Sequence, residues 1–166
     1  MYKRQEYDRP SDDYVRFLLE EILPEALGDL NVTTAPARRA IGGRSSGGVA
    51  AFGAGWFRPD SFGLVYTALG SFVRLRENDA GQFAEVYPEW IMSEDRKPLR
   101  VTLLSGENDE DSRFGNWREA HMAMTTALDC QGYTYLSGFG DTIHGDHQHV
   151  RARFGADWRW LWAASL

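Results

Sequence analysis

Gly43-Arg44-Ser45-Ser46-Gly47 matches the pattern G-x-S-x-G, in which a serine sits on a sharp turn between a strand and a helix, with small residues two positions away on either side. Ser45 is the serine placed for attack on a carbonyl carbon. Ser46 would need glycine at position 44, which is Arg, so its expected contribution is a backbone N–H at the helix start, aimed at an oxyanion. Arg44, next to the nucleophile, is grouped with Ser46 as an oxyanion or substrate-binding residue. A serine hydroxyl is a poor nucleophile at neutral pH. It needs a histidine to take its proton, and the histidine needs an acid to hold its tautomer and stabilise the imidazolium.

Both partners follow in the chain. An acidic run, Glu107, Asp109, Glu110 and Asp111, precedes a segment with His144, His147 and His149, so the order is serine, acid, histidine. Position alone does not choose among the four acids. His121 falls inside a predicted helix and is set aside as a surface or packing residue. The three remaining histidines could instead gather a metal with Asp141 or Asp146. H-x-x-H-x-H in a loop is not an established ligand spacing, however, and a metal leaves the serine turn unexplained. A metal-dependent hydrolase is therefore the lesser alternative, and no metal or cofactor is expected. Trp117 follows the acidic loop closely and is placed to line an acyl or alcohol pocket.

These residues need a scaffold that delivers them to one place. Ser11-Asp12-Asp13 can cap a helix with apolar positions Tyr14, Phe17, Leu18, Ile22 and Leu23; Pro24 is expected to kink its last turn and Gly28 to end it. Strands are expected over Arg39 to Gly43, Phe62 to Ala68, Leu99 to Leu104 and Tyr133 to Leu136. Between them lie a helix from Ser46 to near Pro59 and another from about Asn116 to Asp129, and a Trp-rich helix carrying Trp158, Trp160 and Trp162 packs its face on the sheet. The polar excursion from Arg74 to Lys97 reads as an insertion that caps the site. Strands alternating with helices imply a parallel sheet whose ligand sites lie past the strands' carboxyl ends. The serine turn, the acidic loop and the histidine segment all fall there.

Composition narrows the partners. A chain of 166 residues with 43% hydrophobic content is expected to form a single domain over its whole length. Its net charge of −6, without a Lys/Arg run, argues against nucleic acid. No apolar stretch is long enough to span a bilayer, and the N-terminus is charged and lacks a signal-type apolar stretch. The single cysteine, Cys130, fits a reducing compartment, so the expectation is a cytoplasmic protein.

With these residues in place, the chain resembles an esterase family of the α/β-hydrolase superfamily that includes the enterochelin esterases. The supports are Glu6-Tyr7-Asp8, Phe17 to Pro24, Gly43 to Gly48, Gly70-Ser71-Phe72, Gly106 to Asp109, Phe114 to Trp117, Gly132-Tyr133 and Arg159 to Trp162. The resemblance implies an α/β fold with a minimal core of about four parallel strands, Ser45 as nucleophile, Asp109 as acid and His144 as base. It also implies a small-molecule ester as substrate. His149 fits a second histidine of many relatives, displaced by one residue. Family members usually carry a long N-terminal half before the helix that begins here near Asp12, so the resemblance implies, as an expectation, a single truncated domain in which the Ser45 strand becomes a sheet edge. An apolar edge invites pairing, so a homo-oligomer is expected, with a noncatalytic binding or assembly module as the alternative function.

Overall fold

The computed structural model describes residues 6–163; the first five residues, part of the charged start noted above, and 164–166 lie outside the described residues. Four strands form one parallel sheet in the order β1 (Ala40–Arg44), β2 (Leu64–Ala68), β3 (Arg100–Gly106) and β6 (Thr134–Gly140). Between β3 and β6, two-residue strands β4 (Asp111–Ser112) and β5 (Gly115–Asn116) pair antiparallel as a small hairpin. The expected architecture is therefore present, and β1 lies at the edge of the sheet.

All five residues of β2 are buried, which explains why Leu-Val-Tyr-Thr-Ala lacks the alternation of a half-exposed strand: helices cover both faces. On one face, α3 (Ser46–Phe57) and α5 (Trp117–Cys130) bring Val49, Phe52, Trp56, Met124 and Leu128 against Val65, Val101 and Leu103. On the other, α6 (His147–Trp162) packs Leu161, Trp158 and Trp162 against Leu64, Tyr66 and Leu104. Trp158 stacks on Tyr66 with ring centroids 5.4 Å apart, and the Arg100 guanidinium lies 3.6 Å from the Trp160 ring centre, so the tryptophans act as packing on the sheet.

The N-terminal helix is not uniform. It runs as α1 (Asp13–Phe17), a π-helical turn over Leu18–Ile22 and α2 (Leu23–Leu27), closed by Gly28 at φ +52°. Pro24 sits at the start of α2 instead of kinking a last turn, and a wide turn just before a residue with no N–H removes the need for its missing hydrogen bond. Val15, with Ala54 and Phe62, forms a small cluster over the outer side of α3, whereas Phe17 and Ile22 are exposed.

Two expectations about the sheet and its cover are corrected. The part of the Arg74 to Lys97 segment that forms α4 (Tyr87–Ser93) is core and not cap: it packs on α5, and Tyr87 and Ile91 are buried in the main core, with the Tyr87 and Phe52 rings T-shaped at 5.0 Å. Its polar composition reflects an outer surface, while its few large apolar residues fill the gap between α3 and α5. Strand β6 runs four residues past Leu136, through a stretch whose glycines resemble a loop. Those glycines make room for α6. A Cβ on Gly140 would lie 2.1 Å from the His149 ring, so a bare backbone is what lets α6 dock against this strand.

Candidate active site

The carboxyl ends of β1, β3 and β6 deliver the three polar segments to one side of the sheet. Ser45, between β1 and α3, has φ +55° and ψ −124°; among the described residues it and Leu69 are the non-glycine residues with positive φ. Such a conformation costs about 1–3 kcal/mol and is held by several backbone bonds. Ser45 N–H donates to the Ala68 carbonyl (3.0 Å), and the Ser45 carbonyl accepts from Gly48 N–H (2.9 Å) and Ser71 N–H (3.2 Å). The turn is tight enough that a Cβ on Gly43 would lie 2.1 Å from the Gly47 carbonyl oxygen, which is the physical content of the first glycine in the motif.

Past the turn, Ser45 Oγ lies 2.8 Å from His144 Nε2, and His144 Nδ1 lies 2.7 Å from Asp109 Oδ1. The Asp109 side chain is fully buried and that of His144 is 16% exposed. An ionised carboxylate only accepts, so Nδ1 carries the ring proton and Nε2 is free to accept from the serine. Asp109 Oδ1 also accepts from the Glu110 N–H at 2.7 Å. Of the four acids in the run, Asp109 is the one whose carboxylate meets His144 Nδ1, while Glu107 pairs with Arg118 at 2.9 Å and Asp111 is exposed in β4.

The loops that carry the acid and the histidine are laced together. Glu107 N–H donates to the Gly140 carbonyl (2.8 Å) and Asn108 N–H to the Thr142 carbonyl (3.2 Å). Thr142 Oγ1 donates to Asp146 Oδ2 (2.9 Å), and Asp146 caps α6 by accepting from Gln148 N–H (2.7 Å). The Gln148 N–H first, and the Thr142 hydroxyl second, hold the Asp146 carboxyl below its usual range.

The remaining expected site residues take other positions. Ser46 is the first residue of α3, where a helix leaves backbone N–H groups without partners inside the helix. The Arg44 guanidinium donates from Nη2 to the His144 carbonyl and so fastens the histidine loop to the end of β1. Trp117 does not line an open pocket: it is buried, its indole and the His144 ring form a T-shaped pair at 5.5 Å, and its Nε1–H donates to Ser71 Oγ at 3.0 Å. Opening α5 directly behind the acidic loop places the indole beneath the site. His147 opens α6, His149 packs on Gly140, and among the described residues no three His, Cys, Asp or Glu side chains converge as a metal group. Ser71 went unassigned in the sequence, although its Oγ lies 3.1 Å from Ser45 Oγ. Its place just past the end of β2, beside a loop glycine, was the available signal.

His121 is buried on α5 with Nε2 2.9 Å from Ser137 Oγ. Burial pushes its pKa down to about 4, against a smaller upward pull from the Asp109 charge. The unfolded chain, with a histidine pKa of about 6.5, then binds more protons than the folded one between these values. This contribution is complete above about pH 6.5 and is lost as the pH falls toward 4. Between pH 7 and pH 5 it is expected to remove about 2 kcal/mol of stability. Urea midpoints for wild type and His121→Gln check this; equal losses in the two proteins would show that another group is responsible.

A parallel sheet with a serine turn after one strand, and an acid and a histidine after two later strands, is the α/β-hydrolase arrangement. The chain belongs to the family described as Putative esterase, whose model matches residues 1–166. No curated protein matches by sequence. The enterobactin esterase from Shigella flexneri, solved with enterobactin, superposes with a TM-score of 0.76 at 20% identity, over 96% of this chain and 40% of that one. The ferulic acid esterase of Anaeromyces mucronatus gives 0.66 at 19% identity over 93% and 55% of the two chains. For S-formylglutathione hydrolase from Staphylococcus aureus the values are 0.65 and 14%, over 92% and 64%. The chain thus spans about two fifths of the enterobactin esterase it matches. No helix among the described residues is long and apolar enough to cross a membrane.

Proposed function

We propose that the chain hydrolyses small or short-chain carboxylic esters through Ser45, His144 and Asp109. The observation that carries this reading is the unbroken array from Ser45 Oγ to His144 Nε2 (2.8 Å) and from His144 Nδ1 to Asp109 Oδ1 (2.7 Å), set on a strained turn. Ser45 Oγ bonds to the ester carbonyl carbon as its proton passes to His144 Nε2, and the carbonyl electron pair moves onto oxygen. The Ser46 N–H at the start of α3 stabilises that oxygen, a role whose loss costs about a hundredfold to a thousandfold in turnover. The imidazolium, paired with buried Asp109, then protonates the departing alcohol, and water delivered through the same base releases the acid.

Family membership supports ester chemistry, and the exposed, unpaired Cys130 supports a cytoplasmic setting. Self-association along the open edge of β1 is part of the reading, and a protein that sediments as a monomer at assay concentration removes that part. The central test is labelling with a serine-directed phosphonate followed by mass mapping of the adduct. Modification is expected at Ser45; an intact, unreactive protein would favour a noncatalytic binding or assembly module.

A further inference from the structure

We propose that Ser71 is a positioning residue for the nucleophile, its hydroxyl donating to Ser45 Oγ, and that Trp117 sets the direction of that bond. The proposal rests on the reading of Ser45 as nucleophile. Its basis is the direction in which each proton must point. An indole N–H can only donate, so at 3.0 Å the Trp117 Nε1–H gives its hydrogen to Ser71 Oγ. Ser71 is buried, with no solvent to take its own hydroxyl proton, and the acceptor within reach is Ser45 Oγ at 3.1 Å. Were Ser45 to donate to Ser71 instead, the Ser71 proton would be stranded and His144 Nε2 would lose its partner at 2.8 Å. One arrangement satisfies every group. Trp117 donates to Ser71, Ser71 to Ser45, Ser45 to His144, and His144 through Nδ1 to Asp109.

The backbone is shaped for this contact. Leu69, fully buried just past β2, holds φ +51°, and its N–H donates to the Leu104 carbonyl at 2.8 Å. This second strained residue turns the chain so that Ser71 N–H reaches the Ser45 carbonyl at 3.2 Å while the Ser71 side chain reaches Ser45 Oγ. Trp117 acts twice, since its ring also packs T-shaped against the His144 imidazole, with centroids 5.5 Å apart. Base and nucleophile are braced by one indole.

The consequence is chemical as well as steric. As Ser45 O–H breaks and its proton moves to His144, charge builds on Oγ until the bond to the carbonyl carbon forms. The Ser71 hydrogen bond strengthens during that interval and its proton stays on Ser71. The same interaction returns when Oγ leaves carbon in deacylation. An interaction made mainly in the transition state lowers kcat when removed and leaves KM nearly alone.

Steady-state hydrolysis of a short-chain aryl ester by Ser71→Ala, Trp117→Phe and the double variant tests this. Ser71→Ala is expected to lower kcat about tenfold, the size of one hydrogen bond, with KM within about twofold of wild type. Trp117→Phe, which keeps an aromatic ring beside His144 but loses the N–H, is expected to lower kcat about threefold. The double variant is expected to match Ser71→Ala, because the indole N–H acts through the Ser71 hydroxyl. Wild-type kcat in Ser71→Ala, or fully multiplicative losses in the double variant, would overturn the proposal. If Ser71→Ala does not fold, Trp117→Phe decides alone, and an unchanged kcat overturns it. Ser45→Ala, run in parallel, separates the two claims. Its retained activity overturns the nucleophile assignment together with this one, as does a wild-type protein that reacts with neither ester nor phosphonate, whereas an inactive Ser45→Ala beside an unaffected Ser71→Ala overturns only the role of Ser71.

Discussion

Ser45→Ala is expected to lower hydrolysis of a short-chain aryl ester by about 10⁴- to 10⁶-fold and to abolish phosphonate labelling, while the protein remains folded. The size follows from the mechanism: without Oγ there is no acyl-enzyme, and His144 is left with no proton to take. Ser45→Gly sharpens the test. The side chain at position 45 occupies φ +55°, a region glycine enters without steric cost. Ser45→Gly should therefore be as inactive as Ser45→Ala and yet more stable than wild type, by about 1 kcal/mol. Urea midpoints measured beside the ester assay check both halves. A glycine variant less stable than wild type would mean that the turn is not strained, and the link between strain and nucleophile placement would fail.

Asp109→Asn is expected to lower kcat by up to about 10⁴-fold, with KM little changed. The fully buried carboxylate does two things at once: Oδ1 accepts from the Glu110 N–H at 2.7 Å and faces His144 Nδ1 at 2.7 Å. An amide of the same shape can keep one oxygen in that position, so the loop should hold. It cannot supply the negative charge that stabilises an imidazolium in a site with little water, and that loss falls on the transition state. Asp111→Asn and Glu107→Gln serve as comparisons within the same acidic run. The first is exposed and the second pairs with Arg118, so each should leave kcat within about twofold. A loss in either comparison equal to that in Asp109→Asn would return the acid's identity to an open question.

The parts of this protein legible in its sequence are those governed by neighbours along the chain. The strand-to-helix turn at Gly43 to Gly47 needs glycine for a clash only four residues distant, and the alternation of strands and helices follows from local hydrophobic spacing, so both the turn and the parallel sheet could be read directly. Boundaries were harder wherever a distant side chain intervened. The last four residues of β6 resemble a loop until His149 and Arg153 of α6 are seen against Gly140 and Gly138. Local position could not choose among the four acids, because the acidic run has no internal feature separating Asp109 from its neighbours; the family resemblance implied Asp109, and the fold of the β3–β4 connection and its bonds to the Thr142 loop bring that carboxylate to His144. The tertiary structure also moved Trp117 from an expected pocket wall to a buried position with its Nε1–H on Ser71 Oγ, and brought Ser71 Oγ within 3.1 Å of Ser45 Oγ. Ser71 and Trp117 are 46 positions apart in the chain, and a contact across that distance exists only once the ends of β2 and β3 lie side by side.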